Sequence, residues 1–259
     1  PRAIRDVYKR QQEFFASCTL GSGQFCTNPG VLVLPHGEAG DALVAAATAH
    51  FAGAAPMVLF SQGGVDGVQR GVETLRAAGA QVLAGAAAGE GGYRYAPTLL
   101  SVEADAFIAA PHALQTEAFG PVSLLVRTRD SAQMAQVAAA FEGNLTGTLY
   151  RASDGSDDAA WQQIAPVLRA RVGRLINSKM PTGVAVSAAQ NHGGPFPSTG
   201  HPGFTAVGMP GAIRRFAALH SYDAVPDALL PMELRQRNPG GVARLVDGQW
   251  SSADLGAHA

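Results

Sequence analysis

Hydrophobic and polar positions alternate along the chain in a repeating strand–helix rhythm from Glu13 onward. GVLVLP (30–35), opened by glycine and closed by proline, reads as a buried strand. Asp41 to Phe51 is alanine-rich with few breakers and reads as a helix. Gly71 to Ala78 reads as a second, weaker helix leading into the strand AQVLAG. PVSLLVRT (121–128) is the clearest strand, followed by Asp130 as N-cap with Gln133 at the capping-box position. Met134, Val137, Ala138 and Phe141 then fall at i, i+3, i+4 and i+7, one apolar helical stripe. LTGTLY (145–150) predicts a strand, Asp157 to Ala170 a helix and RVGRLIN (171–177) a strand. This rhythm predicts the α/β class, a largely parallel sheet with flanking helices.

Residues 178–211 hold many glycines and prolines and read as a long irregular loop of the kind that carries function. A short helix over Ala212–His220 and a proline-punctuated tail are expected after it. The glycine-alanine stretch 84–92 reads as a loop, and no internal repeat occurs. Pro1 to Gln12 carries four basic residues (Arg2, Arg5, Lys9, Arg10) and no apolar periodicity, as a foreign or disordered leader would. The expected organisation is therefore a leader over 1–12, a catalytic domain over 13–220 and a C-terminal tail over 221–259 as a candidate oligomerisation segment.

Composition narrows the function classes. Of 259 residues, 47% are hydrophobic and 15% charged, which argues against an extended disordered chain. Nineteen basic against twenty acidic residues, with no basic run, argue against nucleic acid or an anionic membrane as the main partner. Two cysteines cannot build a disulfide framework or a cysteine-only zinc site, and the scattered histidines lack metal-ligand spacing, so no metal is expected. With no membrane-length apolar run and no signal-like start, a soluble cytoplasmic chain is expected.

The chemistry concentrates in GSGQFCTNPG (21–30). Cys26 lies between a glycine-rich turn and a polar turn, immediately before a strand. A thiol so placed can stand at a cleft mouth with backbone N–H groups near its sulfur, favouring the thiolate and a developing oxyanion. By spacing alone, a small buried apolar residue is the more common fate of a lone cysteine. Cys18, eight residues earlier on an expected helix, reads as a buried inert thiol.

GQFCTNPG resembles the catalytic-cysteine motif of the aldehyde dehydrogenase superfamily, with a Gly-Gln pair three and two residues before the nucleophile. TEAFGPV (116–122) resembles its second signature, a glutamate two residues before Phe-Gly-Pro. The agreement continues through GNLTGTLY, RLINSKMPTGV, HGGPF, AIRRF, PDALLP and RLVDG. Within the superfamily the set is most similar to the α-ketoglutarate semialdehyde (2,5-dioxopentanoate) dehydrogenases. The resemblance implies that Cys26 attacks an aldehyde carbon and that its backbone N–H helps hold the oxyanion. It implies NAD or NADP as hydride acceptor, with Glu117 on the nicotinamide ribose hydroxyls and Phe119 beside the ring. By itself Glu117 reads as an exposed loop carboxylate. The resemblance also implies a substrate passage lined by Phe25, Asn177, His192 and Phe196, and a homo-oligomer in the full-length enzyme. Gln24 is expected to shape the turn; Thr182 fits substrate contact or packing equally well.

The resemblance also implies a longer enzyme, about twice this length, in which a nucleotide-binding domain precedes the cysteine. Only 25 residues precede Cys26 here, with Asp6 and Glu13 the sole carboxylates and neither in the family's Glu-Leu-Gly context. The expectation is a C-terminal catalytic-domain fragment, without aldehyde-oxidising activity by itself. GHPGFTAVG (200–208) is more apolar than the arginine-containing stretch the resemblance leads one to expect, and Thr116 stands where many relatives carry an acid. Two other function classes fit the residues: a cofactor-independent hydrolase using Cys26 with His192, and a non-catalytic oligomerisation module.

Overall fold

The computed structural model describes residues 2–201, 205, 207–208 and 210–256, with side chains from Arg10 onward. Part of the 200–208 segment thus lies outside the described residues. The chain divides into two units, Pro1–Arg215 and Phe216–Ala259, a boundary slightly earlier than the one expected at 220/221.

In the first unit, α1 (Arg2–Thr19) runs without a break across the leader boundary expected at 12/13. The sheet is built from β1 (Val31–Pro35), β3 (Gln81–Ala84), β5 (Thr98–Glu103) and β6 (Val122–Thr128), in the order β1-β6-β5-β3. β6 is parallel to both β1 and β5, and β3 joins the far edge antiparallel. On one face, Leu100, Val102, Leu124 and Val126 pack against α3 (Gln62–Ala77), α4 (Ala104–Ala109), α5 (Pro111–Leu114) and α6 (Ser131–Ala140). On the other, Leu99 and Leu125 pack against Phe14 and Cys18 of α1 and against Ala47 and Phe51 of α2 (Glu38–Ala52). A parallel α/β sheet covered on both faces follows, as the alternation predicts. A third cluster joins α6 to α7 (Asp158–Arg169) and the parallel pair β7 (Asn144–Leu149) and β8 (Val172–Asn177). β2 (Met57–Val58) and β4 (Arg94–Tyr95) form a short antiparallel ribbon.

Several expectations change. β1 is half-buried rather than buried, because it is an edge strand with one open side. The helix expected over 71–78 begins at Gln62. Ser61 caps it by accepting from the Gly64 N–H, and Val65, Val68, Val72 and Leu75 bury one stripe that outweighs its four glycines. β5 was not foreseen: it is six residues long, buried on both faces, and passes straight into α4 without a turn signal. The helix expected over Ala212–His220 is a 3-10 turn, Pro210–Arg215, beyond which no helix continues until the short turn at Asp227.

The second unit holds the hairpin β9 (Arg244–Val246) and β10 (Gln249–Ser251) around a left-handed Asp247-Gly248 turn. Buried Asn238 ties it together, donating to the carbonyls of Val242 and Ser252.

Asp130 caps α6 as predicted, its carboxylate accepting from the Gln133 N–H at 2.8 Å, while the Gln133 side chain accepts from the Arg129 N–H. Asp130→Ala should lower stability by about 1 kcal/mol and Asp130→Ser by a few tenths, read from urea denaturation midpoints.

Candidate active site

Three successive left-handed residues, Gly21, Ser22 and Gly23, turn the chain from α1 toward Cys26. Only at the glycines is this conformation free of strain. Gly23 is needed for a second reason. A Cβ there would lie 2.2 Å from the Gly120 carbonyl oxygen and 2.4 Å from the Pro121 nitrogen. The cysteine loop and the Glu117–Pro121 loop therefore touch backbone to backbone. Asn28 reinforces the contact, its Nδ2 donating to the Gly120 carbonyl at 3.1 Å.

Other polar groups fix the rest of the loop. Gln24 Oε1 accepts from the Phe60 N–H at 3.0 Å, so this side chain shapes the turn. The Leu124 N–H donates to the Gly30 carbonyl, and Ser123 Oγ donates to that of Pro29. Thr182 Oγ1 sits 2.6 Å from Ser17 Oγ and 3.3 Å from the Thr27 carbonyl, joining α1, the cysteine loop and the long irregular segment.

Within this frame the two cysteines have opposite settings. Cys18 is fully buried, its Sγ 3.1 Å from Ser123 Oγ, and burial pushes its thiol up to about 12. Cys26 is exposed. Its Sγ lies 3.2 Å from His192 Nε2, a contact between residues 166 positions apart. His192 Nδ1 is buried and has no protein partner among the described residues. The Cys26 N–H likewise has no protein acceptor among the described residues.

Glu117 and Phe119 are both exposed, on the loop held by Gly23. That loop is also backed by α3: a Cβ on Gly71 would meet the Ala118 Cβ at 2.8 Å. Phe25 is exposed beside Cys26, with its ring over Gly21. Asn177 is exposed at the C-terminal end of β8, where its Oδ1 accepts from Ser178 Oγ. Phe196, on the loop that carries His192, is highly exposed. No hydrogen bond joins Asn177 or Phe196 to Cys26 among the described residues. Glu13 accepts a hydrogen bond from the Tyr150 hydroxyl at 3.2 Å and is engaged there.

Arg174, in the middle of β8, was not foreseen. Burial pulls its guanidinium below the ordinary arginine value, and the nearby Cys26 sulfur opposes that shift. The signal was there in the sequence: a charged residue inside the otherwise apolar strand RVGRLIN.

Comparison with known proteins identifies the family. The aldehyde dehydrogenase family model matches residues 4–194. The chain belongs to the aldehyde dehydrogenase family. It is 40% identical over 237 residues to alpha-ketoglutaric semialdehyde dehydrogenase 2 of Azospirillum brasilense, covering 91% of this chain and 44% of that protein. It is 34% identical over 241 residues to the alpha-ketoglutaric semialdehyde dehydrogenase of Acinetobacter baylyi, covering 93% and 45%. The chain thus spans under half the length of these relatives. Among solved structures, a mutant of Thermus thermophilus 1-pyrroline-5-carboxylate dehydrogenase superposes with a TM-score of 0.66 at 24% identity, covering 82% of this chain and 40% of that one. Aldehyde dehydrogenase 21 of Physcomitrella patens gives 0.57 at 20% identity, covering 74% and 39%. Both likenesses concern the fold. Among the described residues no helix is long and apolar enough to cross a membrane.

The contrast between the thiols predicts selective chemistry. Iodoacetamide at pH 8 should label the native chain once, at Cys26, and Cys26→Ser should abolish that label by intact-mass spectrometry. Cys18 should respond to pH instead. Unfolded, it loses its proton near 9.0; folded, it keeps it to about 12. The stability contributed by the buried neutral thiol is complete below pH 9 and lost as pH rises toward 12. Urea unfolding between pH 8 and 11 should show this decline, and Cys18→Ala should flatten it.

Proposed function

We propose that this chain carries the nucleophile of an NAD(P)-dependent semialdehyde dehydrogenase, with Cys26 attacking the aldehyde carbon. The observation that carries the reading is the exposed Cys26 thiol on a loop fixed against the Glu117–Phe119 loop. Attack by the Cys26 thiolate forms a carbon–sulfur bond and an oxyanion at the former aldehyde oxygen, and the unengaged Cys26 N–H is available to donate to it. His192 Nε2, at 3.2 Å, can take the thiol proton as the sulfur becomes nucleophilic.

The chain's residues fit the nicotinamide riboside end of NAD or NADP. Glu117 is an exposed acceptor without a hydrogen bond or ion pair among the described residues, and it suits two ribose hydroxyls. Phe119 offers an exposed ring two residues on. When bound, the dinucleotide supplies the hydride acceptor that turns the adduct into a thioester. The substrate in this reading is a semialdehyde such as 2,5-dioxopentanoate, yielding 2-oxoglutarate, with Phe25, Asn177, His192 and Phe196 lining its approach. A reactive unpaired thiol suits the reducing cytoplasm. Oligomerisation belongs to the same reading, supported by Leu219, Leu229, Met232 and Trp250, all exposed in the second unit.

The Cys26–His192 contact favours a second reading, ester or thioester hydrolysis by the pair without a cofactor. One experiment separates the two. With p-nitrophenyl acetate, the dehydrogenase reading expects a single burst and a stable acetyl group on Cys26, absent in Cys26→Ser. Sustained turnover that His192→Ala abolishes selects the hydrolase. Acetylation of Cys26→Ser equal to wild type overturns both.

A further inference from the structure

Cys26 sits on a short loop whose two ends are pinned to one oxygen. Upstream, a Cβ on Gly23 would lie 2.2 Å from the Gly120 carbonyl oxygen; downstream, Asn28 Nδ2 donates to the same atom at 3.1 Å. Between these anchors the chain makes one turn, closed by the Asn28 N–H donating to the Phe25 carbonyl at 3.0 Å. The Phe25 carbonyl and the Cys26 N–H belong to one planar peptide and point in opposite directions. Fixing the carbonyl therefore fixes the N–H, which faces out of the turn with no protein acceptor among the described residues.

The backbone around Asn28 is held as well. The Thr27 carbonyl accepts from Thr182 Oγ1 at 3.3 Å. The Pro29 carbonyl accepts from the hydroxyl of Ser123, which is fully buried beside the Cys18 sulfur. The Asn28 side chain ties this fixed stretch to the loop of Glu117. Its other amide atom, Oδ1, is inaccessible and has no partner among the described residues. An apolar side chain of the same shape would leave no buried acceptor unmet, so stability alone does not account for an amide here. What the amide adds is direction, a bond to one particular carbonyl.

We infer that Asn28 is a positioning residue for the Cys26 site, holding the 25–28 turn at the angle where the Cys26 N–H meets the oxygen of an adduct on the sulfur. This rests on the reading of Cys26 as the nucleophile and adds the group that orients its oxyanion donor. In the step so served, the carbon–sulfur bond forms and the carbonyl π pair moves onto oxygen, in front of that N–H. No bond to Asn28 is made or broken.

Two reagents separate orientation from thiol reactivity. Attack of Cys26 on p-nitrophenyl acetate passes through an oxyanion; attack on iodoacetamide displaces iodide at a saturated carbon and forms none. Asn28→Leu keeps the outline of the side chain and removes the amide. In the full 259-residue chain, acetylation is read from p-nitrophenolate release and alkylation from intact mass. The ratio of the two rates should fall about tenfold relative to wild type. An unchanged ratio overturns the inference, even where both rates fall together, because equal slowing is what a looser loop produces. A wild-type measurement covers the case in which Asn28→Leu does not fold. p-Nitrophenyl thionoacetate puts sulfur, a weak acceptor, where the oxyanion forms. The preference of Cys26 for the oxygen ester should exceed that of free N-acetylcysteine about tenfold. Equal preference overturns the inference, since no oriented donor is then present for Asn28 to hold. Failure of the underlying reading looks different: Cys26→Ser modified by both reagents as fast as wild type removes the nucleophile, and this inference with it.

Discussion

The site depends on a close approach between two backbones. Gly23 lies so near Gly120 and Pro121 that no side chain larger than hydrogen fits between them. Gly120 is just as constrained on its other side, where a Cβ would meet Val68 Cγ2 at 2.7 Å. A chain of contacts without slack runs from α3 through the Glu117–Pro121 loop to the loop of Cys26. Loops held this way behave as part of the packed core, where displacements of a few tenths of an ångström are already resisted. That is how an exposed thiol and an exposed carboxylate, 91 positions apart in sequence, keep a fixed relation without touching.

The sheet explains why the two loops meet there. Both lead into adjacent parallel strands: the cysteine loop enters β1 and the Glu117 loop enters β6. In that pairing Val31 stands opposite Leu124, so residues a few positions earlier on each strand must also come together. Burial of the β6 side chains on both faces fixes the register, because a one-residue slip would exchange the two faces. Cys18 belongs to this support. Ser123 Oγ donates to the Pro29 carbonyl, which leaves the Cys18 thiol to donate to Ser123 and makes the buried cysteine a brace for the loop of the exposed one.

What could be read from the sequence divides along the range of the interactions. Asp130 and Gln133 form a cap from residues three apart, and the pattern alone located it. The strands with clear flanking turns, β6 to β8, were found within a residue or two, whereas β5 was not, since nothing local separates it from α4. Cys26 was legible because its motif is contiguous. Its contact with His192 enters only as one function class among others, because 166 residues separate the pair and tertiary packing, such as that of Gly193 on Gly173 and Gly194 on Asn144, brings them together. Arg174 is a local anomaly, a charge inside an apolar strand, but nothing contiguous with it says what it packs beside.

The polar groups of the site fall into two sets, and the division is itself an argument for function. Gln24, Thr182 and Ser123 are bonded within the protein and hold the loop in place, as does the Nδ2 of Asn28. The Cys26 N–H, His192 Nδ1, Glu117 and the Nε and Nη2 of Arg174 lack protein partners among the described residues. Folding alone would not select the second set, since each buried member costs stability that an apolar residue of similar size would not. They lie on three segments, the cysteine loop, the Glu117 loop and the β8–His192 surface, each anchored by a glycine that admits close backbone contact. The satisfied hydrogen bonds thus go to holding the loop in place, while a backbone donor and an imidazole nitrogen beside the exposed thiol have no protein partner among the described residues. An inert core cysteine would leave those groups unexplained.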